Sequence, residues 1–240
     1  MDIVTSIALI IMGFIPSLVW LYIFLRKDPT PEPKILIIRT FLLGILIAPI
    51  VVILQLSVKQ LTMNVPMFYF LSGTLIFLGW SAFVEEYMKY WVVKKTVLKN
   101  PSFDEPLDGI EYMICSALGF AAIENVLVMF QAISQGGEAA LTVWALRFVG
   151  ATLLHALASS IVGYVLGFGW FSAKHKKILM FVGIILASGV HWAFNAIIYL
   201  EPQKNVGHTL ILLSVVGIGI AYLFNRLRKR CFEGFSSTVS

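Results

Sequence analysis

The chain has 240 residues, of which 59% are hydrophobic and 13% charged, and its mean hydropathy is +0.88. A soluble domain is about half apolar and roughly a quarter charged, so this composition excludes a water-soluble globule and points to lipid. The net charge of +5 marks no nucleic-acid face, because the lysines and arginines lie between apolar runs and not along one surface. Cys115 and Cys231 are too few for a disulfide framework.

Apolar stretches follow one another at 3–25, 36–57, 67–93, 110–133, 141–171, 178–200 and 208–225. Each can cross a hydrocarbon core of about 30 Å, which takes ~20 helical residues. A bilayer offers backbone groups no water, and nothing here alternates like a lipid-facing barrel strand, so helices are expected. The expected fold is all-α: a single domain forming a polytopic membrane bundle of about seven transmembrane helices. The first stretch lacks a basic start and a small-residue cleavage pattern, so it is expected to remain as a helix. The connections are short and polar, and Pro29, Pro31, Pro33, Pro101 and Pro106 fall within them.

Basic residues alternate between the two sides. One side has Arg26, Lys27 and Lys34, then Lys94, Lys95 and Lys99, then Lys174, Lys176 and Lys177, then Arg226, Arg228, Lys229 and Arg230. These thirteen face only Lys59 and Lys204 on the other side. The bias predicts an N-terminus outside and a cytoplasmic tail in a multi-pass protein of the plasma membrane.

Ionisable groups inside four stretches need a reason, since a charge near the bilayer centre costs at least ~2.5–3.5 kcal/mol. The third stretch has Glu85, Glu86 and Lys89; the fourth Glu124 and Asn125; the fifth Arg147 and His155; the sixth His191 and Asn195. Lys89 is three and four residues from the two glutamates and reaches either on a helix. The adjacent glutamates project about 100° apart, so one pairs with Lys89 while the other faces the bundle interior. His191 and Asn195 share a face, as do Arg147 and His155. On the expected boundaries Glu85 lies ~12 Å from the cytoplasmic end of its span, and Glu124, His155 and His191 roughly 20–24 Å from theirs. All are expected to line one hydrated cavity near mid-membrane.

Ser159, Gly163 and Gly167 recur every four residues, and Gly119, Ala121 and Ala122 precede Glu124; packing is the expected role of these small residues. Glu111, His175 and His208 are expected in solvent. Phe83, Tyr87, Tyr90 and Trp91 are expected to face lipid or interface.

Peptide hydrolysis by water needs a base, an oxyanion donor and an acid for the leaving amine. A carboxylate sheltered in a bundle is a competent base near neutral pH. A His and an Asn on one helical face can donate to an oxyanion, and Lys89 or Arg147 can balance the other carboxylates. No serine or cysteine has the arrangement of a nucleophile, which favours water. Glu85, Glu124, His155 and His191 could instead hold zinc, but no His-Glu-x-x-His motif is present, so a metal-free route without cofactor is expected. A proton- or ion-coupled transporter and a non-catalytic scaffold are the rival readings of intramembrane charge. No pair of interrupted helices in two halves supports transport.

The ordered set Glu85-Glu86-x-x-Lys89, Phe120-x-x-x-Glu124-Asn125, His155 and His191-x-x-x-Asn195 resembles the PrsW family of intramembrane proteases, similar in turn to the CAAX-processing and bacteriocin-processing membrane proteases. The motifs cover residues ~80–200. The resemblance implies a glutamate-type endopeptidase acting on a membrane-associated, single-span protein, with an anti-sigma factor as the substrate of the family's namesake. It implies that Glu85 polarises the water, that Glu86 pairs with Lys89, and that His191 and Asn195 bind the oxyanion. The CAAX relatives have His where this chain has Glu124 and Arg in place of Lys89, and His155 is the expected substitute partner for the water.

Overall fold

The computed structural model describes residues 2–26, 30–71, 73–172, 176–201 and 205–238; Lys27, Pro29, Lys174, His175 and Lys204 lie outside them. The described residues are all-α. Helix α1 (Ile3–Leu25) starts where the Asp2 carboxylate accepts the Thr5 backbone N–H at 2.7 Å, which holds that carboxyl below the usual range. Then come α2 (Lys34–Asn64), a 3-10 turn (Pro66–Leu71), α3 (Thr74–Thr96), α4 (Asp108–Ala132), α5 (Gly137–Leu146), α6 (Thr152–Ser172), α7 (Lys176–Leu200) and α8 (Asn205–Thr238). A π-helical turn, Arg147–Ala151, joins α5 to α6 in one continuous rod, so the rods among the described residues number seven.

Six of the rods are long and apolar enough to cross a membrane, and α3 is the one outside that set. Its glutamates and lysines lower its hydropathy, and neighbouring helices shelter them instead: α3 packs on α2, α4, α6 and α7. Its boundaries differ from the expected 67–93 because the 3-10 turn takes the first residues and the helix runs on to Thr96. That extension sets Glu85 about 16 Å from the end of α3, deeper than expected, against about 22 Å for His191 from the start of α7. Helix α8 also continues past 225 through the basic tail, where Arg and Lys are good helix formers.

Helix α4 is the hub, packed by α1, α2 and α6 and buried on nearly every side through Ala122. Its neighbours come close because glycines leave room. A Cβ on Gly119 would lie 2.1 Å from the Phe41 carbonyl oxygen, and one on Gly44 2.3 Å from that of Ser116. On α6, a Cβ at Gly163 would lie 2.5 Å from Gly109 O, and one at Gly167 1.9 Å from Pro106 O. The packing role expected for Gly163 and Gly167 is therefore met. Gly119→Ala should lower stability by ~1–3 kcal/mol through overpacking, read as a lower melting temperature in detergent. Gly189→Ala, with nothing within 4 Å of its new Cβ, should not.

Glu111 departs from its expected solvated place. It is 5% exposed, because it lies on the stretch of α4 that neighbouring helices bury from Asp108 through Ala122. His208 is exposed and meets Glu201. Tyr87 and Trp91 are exposed as expected, whereas Phe83 and Tyr90 pack partly into the core.

Candidate active site

Four helices bring the costly polar side chains together. From α3, Lys89 Nζ donates to Glu86 Oε1 at 2.7 Å and to His155 Nδ1 of α6 at 2.8 Å, and stands 3.8 Å from Glu85 Oε2. The Phe120 ring of α4 closes its remaining side at 4.8 Å. Lys89 and Glu86 are fully buried, so the pairing is obligatory: a bare charge here would cost several kcal/mol. Glu86 Oε2 accepts a further hydrogen bond from Ser159 of α6 at 2.7 Å. Ser159, expected only to pack, thus belongs to the site.

Glu124 on α4 accepts from His155 Nε2 at 2.6 Å and from Arg147 at 3.0 Å. Because His155 Nδ1 accepts the hydrogen bond of Lys89, its Nε2 is the protonated nitrogen, and both its ring nitrogens are committed. The π turn that begins at Arg147 widens the helix before His155, and both side chains still converge on Glu124. Arg147 also donates to Asn125 Oδ1 at 2.7 Å, and Asn125 donates to Thr152 Oγ1 at 3.0 Å. Asn125 is therefore a structural knot between α4 and α6.

His191 on α7 stands edge-on to His155 with ring centres 4.9 Å apart. Its Nδ1 donates to Glu86 Oε1 at 3.1 Å, which turns the Nε2 lone pair toward Glu85 Oε2, 3.6 Å away. Both ring nitrogens of His191 therefore face carboxylates, a different placement from the oxyanion donor expected. Asn195, one turn on, does not join them; it lines a cavity of about 590 Å³ together with Glu85, Glu124, Ser81 and Gln55.

Glu85 is held by a residue that sequence reasoning missed. Gln55 of α2 donates to Glu85 Oε1 at 3.0 Å; its only signal was a polar side chain within an apolar stretch. Glu85 Oε2 and Ser81 Oγ are buried and have no hydrogen-bond partner among the described residues. Two orphaned polar atoms in one cavity wall are where a reacting group can be held.

A family model described as PrsW family intramembrane metalloprotease matches residues 32–224. Among curated relatives, each named Protease PrsW, that of Oceanobacillus iheyensis is 32% identical over 78% of this chain and 80% of its own. That of Bacillus subtilis is 30% identical over 80% and 83%, and that of Geobacillus kaustophilus 29% over 87% of each. No solved structure matches.

The family description implies a metal, and the donor set fits one. Atoms of Glu85, His155 and His191 lie within 4.8 Å of one another. The 3.6 Å from Glu85 Oε2 to His191 Nε2 is close to the ~3.4 Å between two ligands ~2.1 Å from a tetrahedral ion. Each histidine has its other nitrogen on a carboxylate, Glu124 or Glu86, the outer partner that orients metal-binding imidazoles. Glu124 itself is an outer partner and not one of the clustered ligands. The expected preference for a metal-free route rested on a missing local motif, and it loses that ground because three helices assemble the set instead. Lys89 competes for His155 Nδ1, so an ion there requires its ammonium to withdraw. The match extends over most of the chain on both sides of this cluster, and the chain belongs to the PrsW family of intramembrane proteases.

Proposed function

We propose that the protein hydrolyses a peptide bond in a membrane-associated, single-span protein, with a water activated by Glu85 as the nucleophile. The observation that carries this reading is the buried Glu85 Oε2, which accepts no hydrogen bond and faces His191 Nε2, on a residue that lines the cavity. A water between them donates one hydrogen bond to each acceptor. Glu85 Oε2 takes the proton as oxygen attacks the scissile carbonyl carbon, and passes it to the departing amine. Asn195 is the side chain suited to donate to the oxyanion. Gln55 aims Glu85, the Glu86–Lys89 pair holds His191 and His155 in place, and Arg147 with Glu124 fixes the His155 tautomer.

The clustered ligands favour a second reading, in which Glu85, His155 and His191 hold a divalent ion. Such an ion supplies a Lewis acid that makes bound water nucleophilic at neutral pH. Zinc titration of the purified chain separates the two readings. One equivalent bound by wild type and lost in His155→Gln assigns the site to the ion; cleavage that survives exhaustive chelation assigns the water to Glu85 alone.

The proposed setting is the plasma membrane, with the N-terminus outside and the basic tail in the cytoplasm. The cavity is lined by Phe77 and Leu78 near the start of α3 and by Ile198 and Tyr199 near the end of α7, the ends without basic runs. In this orientation substrate would enter from the outer half of the bilayer. An anti-sigma-factor-like protein is the substrate class taken from the family resemblance.

A further inference from the structure

A second cavity lies toward the opposite ends of α3 and α7. It is a groove of about 860 Å³ between α3, α6 and α7, within the ~300–1,000 Å³ range of ligand clefts. Phe83, Tyr87, Met180 and Ile184 form an apolar floor. Lys94, Lys95, Lys99, Lys176 and Lys177 form its rim; all five are exposed, and no carboxylate among the described residues lines it. Lys176 is fixed in position: its Nζ donates to the Trp170 carbonyl at 2.7 Å and stands 4.9 Å from the Trp170 ring centre. From Phe83 to Lys94 the floor runs about 16 Å along α3, the reach from headgroup level toward mid-membrane.

Five like charges above an apolar trough that opens to lipid call for an anion with a long hydrocarbon part. We propose that this groove binds an anionic phospholipid, its phosphate among the lysines and an acyl chain along Phe83, Tyr87 and Ile184. A zwitterionic lipid brings a quaternary amine to the same rim and gains no net attraction. An extended peptide would need a row of backbone partners, and beside its apolar surface this lining offers only the side-chain tips of its lysines, Tyr87, Tyr90 and Trp170.

The test is native mass spectrometry of the full chain released from vesicles of equimolar dioleoylphosphatidylglycerol and dioleoylphosphatidylcholine, a readout independent of proteolysis. Wild type should retain one phosphatidylglycerol with at least about tenfold preference, as expected for several basic residues at a headgroup. The triple variant Lys94→Gln, Lys95→Gln, Lys177→Gln should lose that preference. Gly169→Leu keeps every lysine and fills the groove, since a Cβ there meets nothing closer than 3.8 Å; it should shed the lipid. Equal retention of the two lipids by wild type, or unchanged retention in both variants, would overturn the proposal. So would lysine variants that slow cleavage of an acidic-flanked substrate yet retain lipid as before, because the groove would then belong to the substrate.

Discussion

Glu85→Gln should reduce proteolysis by about 10²–10⁴-fold, the range associated with removing a general base, while the purified chain melts no lower than wild type. The two halves of this expectation come from different atoms of one side chain. Oε1 is held by the Gln55 amide at 3.0 Å, a contact the new amide oxygen can keep. Oε2 makes no hydrogen bond, so replacing it with NH₂ breaks none, gives up only the longer 3.8 Å approach to Lys89, and removes a buried carboxylate from a residue of the cavity wall. Activity lost at unchanged or raised stability marks a group retained for chemistry and not for folding. Cleavage assays and melting curves on the same preparation check both halves. Equal losses of activity and stability would make Glu85 structural.

Lys89→Met should have the largest effect on stability, about 3–5 kcal/mol, the cost of breaking a buried ion pair by removing one partner. The lysine contacts Glu86 at 2.7 Å and His155 at 2.8 Å with no solvent exposure. Its loss would strand the Glu86 carboxylate on Ser159 and His191 alone. The double variant Lys89→Met, Glu86→Gln should recover part of the loss, because the Glu86 carboxylate no longer stands uncompensated, while Glu85 still lacks its neighbouring ammonium. Melting temperatures of the two single variants and the double form a cycle in which the coupling is read directly. Additive losses would show that Lys89 packs and does not neutralise.

The membrane-bundle class and much of the site were legible in the residues themselves, because each intramembrane charge is costly and needs a partner. Glu85, Glu86, Lys89, Glu124, His155 and His191 do meet in one cluster. Spacing along a helix gave the Lys89 pairing, since both partners lie on α3. It could not give contacts between helices, where rotation and depth are set by packing. Spacing therefore assigns nothing to Gln55 on α2, gives Ser159 on α6 packing alone, and makes His191 a donor where it faces two carboxylates. The π turn at Arg147–Ala151 leaves no mark on hydropathy, yet it begins at one of the two residues that reach Glu124 and leads to the other. Glu111 differs for a related reason: its burial comes from the packing of neighbouring helices around this stretch of α4. The choice of metal or bare carboxylate was read from a local motif, whereas the ligands come from separate helices.

The most direct measurement is to reconstitute the purified chain with a single-span substrate in liposomes and identify peptides by mass spectrometry, with Glu85→Gln beside it. The account predicts two new fragments from one cut in or beside the bilayer with wild type, and none with the variant. An intact substrate accompanied by ion or proton flux across the liposome would contradict it and make the buried charges a transport path.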